Sequence, residues 1–331
     1  MTQATIDVVG IGNAIVDVIA QADEAFLGRE GLAKGAMTLI DAERANALYQ
    51  KMGPGVEASG GSAGNTMAGI ASLGGSGAYI GKVRDDFLGG VFRHDLTAQG
   101  VRFDTPSAAS GPGTARCLVL VTPDGQRTLA TYLGACVELG PADIDPDILA
   151  AAQITYLEGY LFDPPKAQAA FHKAAEIVHA ADRRVALSLS DPFCVERHRA
   201  AFRDLVQGHV DILFANEAEI CALYETADFD TAVRRVTGHC EVAALTRSEQ
   251  GAVILRGDEV HVVPAHPIQG GKLVDTTGAG DLFAAGFLVG LAHGKDHRTA
   301  ARLGSLAAAE VIQHVGARPA VSLKTLAAEN G

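Results

Sequence analysis

Short apolar runs separated by helical patterns constrain this chain more than any other feature. The runs are ITYLEG (154–159), RVALSLS (184–190), VDILFAN (210–216) and EVAALT (241–246). Segments of this kind suit strands buried on both faces of a parallel sheet. Helical patterns over about 165–180, 196–207 and 216–238 lie between them. The β-α-β-α succession predicts an α/β fold, a doubly wound and mostly parallel sheet flanked by helices and opened by the strand IDVVGIG at 6–12. Two stretches break the rhythm. IVDVIAQAD (15–23) follows the first strand with no helix between, and ARCLVLVTPDGQRTLATYLG (115–134) alternates around the hairpin signal PDG. They predict a small, mostly antiparallel sheet, drawn from about 14–40 and 105–135. Fed from separated segments, it would be a lid over the carboxyl ends of the main strands, within one unit spanning 1–331.

Composition narrows the function classes. The 331 residues are 48% hydrophobic and 20% charged, enough apolar material for a large core and too little charge for disorder. The formal net charge of −12 disfavours nucleic acid and anionic membranes as partners. The cysteines Cys117, Cys136, Cys194, Cys221 and Cys240 are odd in number and widely spaced, which fits free thiols in a reducing cytoplasm. The first ten residues do not read as a signal peptide, and the most apolar segment, broken by Asp281, is too short to span a bilayer. GIGNAI at 10–15 lacks the third glycine of a dinucleotide fingerprint, and no GxxxxGK[ST] loop occurs. The eleven histidines form no metal-ligand pair.

Two glycine-rich segments carry the chemistry. In DTTGAGDLFAAGFL (275–288), Gly278 and Gly280 precede an apolar helical run and Asp281 stands at the junction. A bare turn opening a helix presents unpaired N–H groups and the positive end of the helix dipole, an arrangement that binds phosphate. A carboxylate beside it can accept a proton from an attacking hydroxyl. Alone, Asp281 reads almost as well as a helix cap. SGGSAGNTMAGIASLGG (59–75) is a second glycine-rich loop entering a helix, with Asn65 near its start. Alone, it reads as a tight turn followed by a closely packed helix.

The order GGSAGN near 60, GKVRDDFLG at 81–89, NEAE at 216–219 and DTTGAGD at 275–281 resembles the ribokinase-like (PfkB) carbohydrate and nucleoside kinases over nearly the whole chain. The resemblance implies transfer of the γ-phosphate of ATP to an alcohol, with Mg2+ and often K+. VVGIGNAIVD, TYLGACVELG, GYLFDPP, LSLSDPFC and VDILFANEAE are most similar to the adenosine kinase branch, which forms AMP in purine salvage. That likeness implies Asp281 as base, an anion hole from Gly278, Ala279 and Gly280, and Arg127 near the transferred phosphate. It implies Asn13, Asp17, Gly60, Gly61, Ser62 and Asn65 at the ribose and Tyr160 on the purine. Asn216, Thr246, Gly251 and Gly316 would border ATP, with the helix of about 299–314 as a wall. Asn216 and Glu219 would organise Mg2+ through water, and Asp275 and Thr277 a K+. Many adenosine kinases carry Asn where Thr277 stands, and Thr is common there among sugar kinases. A nucleoside other than adenosine, a free sugar such as ribose or fructose, and a non-catalytic regulator remain as alternatives. A monomer and a homodimer both fit.

Overall fold

The computed structural model describes residues 4–330 apart from 269 and 271. The first strand, β1 (Ile6–Ile11), belongs to a large sheet. The chain then leaves it for a second sheet, forming β2 (Ile15–Gln21), β3 (Met37–Leu39) and β4 (Gly55–Ser59). It returns with β5 (Gly77–Ile80) and β6 (Val101–Arg102), and leaves again for the hairpin β7 (Ala115–Val121) and β8 (Arg127–Tyr132). The strands β9 (Ala152–Glu158), β10 (Arg184–Ser188), β11 (Ile212–Asn216), β12 (Val242–Thr246), β13 (Ala252–Arg256) and β14 (Glu259–Val263) complete the large sheet.

The large sheet runs β14-β13-β12-β11-β10-β9-β1-β5-β6. Its pairs are parallel from β12 to β6 and antiparallel only at the β12, β13, β14 edge. The doubly wound sheet expected from the apolar runs is therefore present, and both faces of its central strands are buried. In β9, Leu157 packs with Phe162, Phe171 and Phe202 on one side, while Ile154 and Tyr156 pack with Met67 and Phe287 on the other. Among the described residues no helix is long and apolar enough to cross a membrane.

Three expectations need correction. The pattern over 216–238 is two helices, Glu217–Leu223 and Phe229–Val236. Glu225 between them takes a left-handed φ of 50°, and Asp228 caps the second helix by accepting from the Thr231 N–H. The 196–207 pattern belongs to a longer helix, Pro192–His209, which starts where Asp191 accepts from Phe193 and Cys194 and kinks at His198. The second sheet, ordered β3-β8-β7-β2-β4, is mixed: β2–β7 and β3–β8 are parallel, β2–β4 and β7–β8 antiparallel. Alternation reveals the hairpin but says nothing about which neighbour a separated strand joins. The sheet also recruits β4, whose short sequence GVEAS, with few β-branched residues, gives little strand signal.

Helices Glu24–Arg29 and Ala42–Lys51 follow β2 and β3, and their Leu27 and Leu48 pack with Val18, Leu118, Leu120 and Ala130 on one face of the second sheet. Its other face presents Ile15, Ile19, Cys117, Val119, Val121 and Leu129, and the alternation of β2 puts Asp17 among them. In register, Asp17 stands beside Cys117, Cys117 beside Thr131, and Thr131 beside Leu39.

The helices that begin both glycine-rich segments pack tightly. A Cβ on Gly69, in Ser62–Ser72, would lie 2.6 Å from Leu282 Cδ1 in Ala279–Ala292. A Cβ on Gly286 would lie 2.6 Å from the Gly304 backbone in the next helix, His297–Val311, the wall expected over about 299–314. Gly90, on the exposed side of helix Phe87–Ala98, meets nothing. Gly286→Val should therefore lower stability by about 2 kcal/mol through overpacking, while Gly90→Ala should raise it by roughly 0.5–1 kcal/mol through helix propensity and chain entropy. Urea denaturation of both variants checks this, and equal stabilities would contradict it.

Candidate active site

The helix Ala279–Ala292 starts from Gly278, whose φ of 80° is left-handed. A side chain there would also meet Ala317 at 2.8 Å, so glycine is required twice over. The first hydrogen bond of the helix runs from Leu282 N to Gly278 O, so the N–H groups of Gly280 and Asp281 precede the ladder. A Cβ on Gly280 would meet no protein atom. Open space and leading N–H groups occur together at this turn, as an anion site requires.

Asp281 lies on the first turn, and both carboxylate oxygens are held from the other glycine-rich segment. Ser62 Oγ donates to Oδ1 at 2.6 Å and Asn65 Nδ2 to Oδ2 at 2.9 Å. Burial pushes the Asp281 carboxyl up to about 6, with the two hydrogen bonds and the charge of Arg318 pulling the other way. Ser62 and Asn65, expected at the ribose, thus also bind the proposed base. Asn65 Oδ1 is buried without a partner among the described residues and remains open to a ligand.

Asp17 is the reverse case. Among the described residues no donor bonds its carboxylate, and burial raises it to about 6 against the charges of Arg318 and Arg127. A Cβ on Gly60 would lie 2.5 Å from its carboxyl carbon, so the loop backbone runs directly against the carboxylate. Gly61, with φ 79°, brings the same loop onto Asn13, whose carbonyl oxygen would be 2.4 Å from a Cβ.

Asn13 is held by Glu158, a residue the sequence reading missed. Glu158 accepts from Asn13 Nδ2 at 2.7 Å, Asn13 N at 3.2 Å and Ala63 N at 2.8 Å, joining the loop after β1 to the start of helix Ser62–Ser72. It is 1% exposed, and burial raises its carboxyl to about 7. Its one readable sign was a charge closing an apolar strand. Tyr160 follows in the short turn Gly159–Phe162 and is 39% exposed. Burial and the negative charges of Asp191, Asp281, Glu219 and Glu158 raise its hydroxyl, so the ring sits among the site carboxylates. Phe193, after the neighbouring β10, exposes 70% of its surface and was also missed, because PFC reads as an ordinary helix start.

Arg127 reaches from β8 to the chain just before the anion turn. Its Nε lies 3.0 Å from Asp275 Oδ2 as an ion pair, with both side chains under a tenth exposed, and Nε and Nη2 are both buried without a hydrogen-bond partner among the described residues. Asp275 accepts hydrogen bonds from Thr277 N (3.0 Å), Thr277 Oγ1 (2.6 Å) and Gly316 N (3.0 Å). Burial alone would raise its carboxyl, but these donors and the Arg127 charge hold it below the usual range.

Asn216 and Glu219 form a reciprocal cap at the start of helix Glu217–Leu223. Asn216 N and Nδ2 donate to Glu219 at 2.9 and 2.7 Å, and Glu219 N donates to Asn216 Oδ1 at 2.8 Å. Burial raises Glu219 to about 7. Each of its oxygens keeps a lone pair beyond these bonds. No cluster of three or more metal-ligating side chains occurs among the described residues. Such a site fits a magnesium ion that arrives on nucleotide phosphates and keeps its waters, rather than one caged by protein. Thr246 ends β12 beside Asn216, and Gly251, at φ 84°, makes the turn into β13.

Arg318 was missed as well, since GARPA carries no motif. Its Nη2 donates to Ser59 O (2.8 Å) and Oγ (3.1 Å).

With this geometry in view, the chain was compared with known proteins. Residues 35–324 match the model of the pfkB family of carbohydrate kinases. The crystal structure of an adenosine kinase from Sinorhizobium meliloti is 54% identical, with a TM-score of 0.92 over 99% of this chain and 100% of that one. A probable sugar kinase protein from Rhizobium etli CFN 42 is 51% identical, with a TM-score of 0.93 over 99% of both chains. An adenosine kinase of Saccharomyces cerevisiae is 27% identical, covering 94% of this chain and 96% of the yeast protein. Two glycine turns brought together around one carboxylate, on this sheet and with these relatives, identify the chain as a phosphotransferase belonging to the pfkB family of carbohydrate kinases.

Proposed function

We propose that this kinase transfers the γ-phosphoryl group of ATP to the 5′-hydroxyl of adenosine, giving AMP and ADP. The observation that carries the reading is the pairing of two unlike carboxylates. Asp281 is oriented by two donors, whereas Asp17 is half-buried and no donor among the described residues bonds its carboxylate. A vicinal diol offers two donors to one carboxylate, which suits Asp17 to a ribose, with Asn65 Oδ1 as a further acceptor. A ribose held by its 2′- and 3′-hydroxyls leaves the 5′-hydroxyl free to reach Asp281. Tyr160 and Phe193 expose flat apolar surface at the ends of adjacent strands, β9 and β10, which suits a purine. The adenosine kinases of Sinorhizobium meliloti and Saccharomyces cerevisiae are relatives that align over more than nine-tenths of both chains.

In the step itself the 5′-oxygen bonds to the γ-phosphorus, the bond from that phosphorus to the ADP oxygen breaks, and the hydroxyl proton passes to Asp281. The leading N–H groups of the helix at Gly280 and Asp281 stabilise the charge on the transferring group. Ser62 and Asn65 hold the Asp281 carboxylate in position. Asn216 and Glu219 would hold a magnesium ion through water, which would supply charge neutralisation at the phosphates.

A coupled assay with adenosine, inosine, guanosine, ribose and fructose tests the substrate. Adenosine should give the highest kcat/KM, and preference for ribose or fructose would replace adenosine with a free sugar. Asp281→Asn should lower kcat by about a hundredfold or more while adenosine still binds in calorimetry. Near-normal turnover would remove Asp281 as base.

The base must be ionised to accept a proton, and a carboxyl raised to about 6 loses its ionised form as pH falls through 6. Asp17, also near 6, adds to the same limb. The kcat/KM for adenosine should be level above pH 7 and fall steeply below 6. A profile flat down to pH 4.5 would contradict the assignment.

A further inference from the structure

Residues 316–318 touch both glycine-rich turns within three positions. Gly316 N donates to Asp275 Oδ2 at 3.0 Å. Ala317 packs where a Gly278 side chain would begin, at 2.8 Å. Arg318 Nη2 grips the last residue of β4 by two bonds, to Ser59 O at 2.8 Å and Ser59 Oγ at 3.1 Å, and Nη1 donates to Gln99 Oε1 at 3.2 Å. From the other side, Ser59 N donates to Asp95 Oδ2 at 2.8 Å. Gly60, the next residue, lies against the Asp17 carboxylate, and Ser62 binds Asp281. The same guanidinium nitrogen lies 3.4 Å from where a Gly64 side chain would start, so it packs against the beginning of helix Ser62–Ser72.

The geometry points to Arg318 as a positioning residue that ties the substrate loop to the anion turn and places one positive charge behind both Asp17 and Asp281. The role rests on the reading of Asp281 as the base. Two features separate it from an ordinary structural arginine. Its charge acts on Asp17 and Asp281 alike, lowering each against the burial that raises it. Its own guanidinium is the perturbed partner: burial lowers Arg318 to about 10, with Asp17, Asp281, Asp95 and Tyr79 opposing that fall. Its bonds to Ser59 O, Ser59 Oγ and Gln99 Oε1 hold the guanidinium against the end of β4, next to the loop that meets both carboxylates. The other titratable groups that act with Asp281 are Asp17, Glu158, Glu219, Tyr156 and Tyr160. None of them is cationic. Arg127 acts on Asp17 but is itself paired with Asp275.

The test compares Arg318→Gln, Arg318→Lys and wild type in kcat, KM and the pH dependence of kcat/KM, with thermal melting to confirm folding. Arg318→Gln removes the charge. The acidic limb should move upward by about one pH unit, and kcat should fall on the order of tenfold. Arg318→Lys keeps a charge but cannot fork onto both Ser59 oxygens. Its limb should stay at the wild-type position, with kcat between the other two. A folded Arg318→Gln enzyme with an unmoved limb overturns the proposal, as does a limb that moves equally in both variants. If Arg318→Gln does not fold, Arg318→Lys decides: reduced kcat with an unmoved limb supports the role, and wild-type kcat and KM overturn it. Activity of the wild type separates this from the larger reading. A wild type inactive on every nucleoside and sugar ends both, whereas an active wild type with indifferent Arg318 variants ends only this one.

Discussion

The Asp281 carboxylate accepts two hydrogen bonds, and both donors, Ser62 and Asn65, come from a helix more than 200 residues earlier in the chain. The rest of the site depends on that meeting. It needs Ser62–Ser72 and Ala279–Ala292 to approach until the Leu282 and Ala285 side chains lie against the Gly69 backbone, which glycine permits. It needs left-handed turns at Gly61 and Gly278 to start both helices in the same place. Because the base is oriented by the segment that also backs Asp17, substrate position and base position are set by one piece of structure.

Burial shapes the electrostatics more than pairing does. Asp17, Asp281, Glu158 and Glu219 are all raised, and burial is the leading cause in each. They do not share one function. Glu158 accepts from protein donors and joins two loops, while Glu219 caps its helix and keeps a lone pair on each oxygen. Asp281 is held yet half open, and Asp17 is unclaimed. A half-buried carboxylate that no protein donor bonds can accept from two hydroxyls of a substrate, which suits Asp17 to a vicinal diol. The two cations near these groups enter from opposite ends of the sequence: Arg127 from the second sheet and Arg318 from the segment after helix His297–Val311.

Much of this was legible in the sequence. The apolar runs identified the parallel sheet because strands buried on both faces leave an unbroken hydrophobic signature. The two glycine turns were visible because left-handed and close-approach positions exclude other residues. What escaped were partners rather than elements. Glu158 is the charged last residue of an apolar strand, and Arg318 lies in no motif. Nothing local distinguishes a charge that will be buried by chain arriving from 95 to 259 residues away. The strand β4 and the mixed pairing of the second sheet were hidden for the same reason, since strand neighbours are chosen by tertiary packing. Ser62 and Asn65 stand in the second glycine-rich segment, but their bonds to Asp281 required coordinates.

The account turns on which hydroxyl faces Asp281 when Asp17 holds the diol. The most direct measurement is phosphorus NMR of the product made from adenosine and ATP. A phosphate on the 5′-oxygen is split into a triplet by the two protons on C5′, and the account predicts that this is the only phosphorylated nucleoside formed. A doublet from a 2′- or 3′-phosphate would contradict it, because the diol could not then be bound at Asp17 during the reaction.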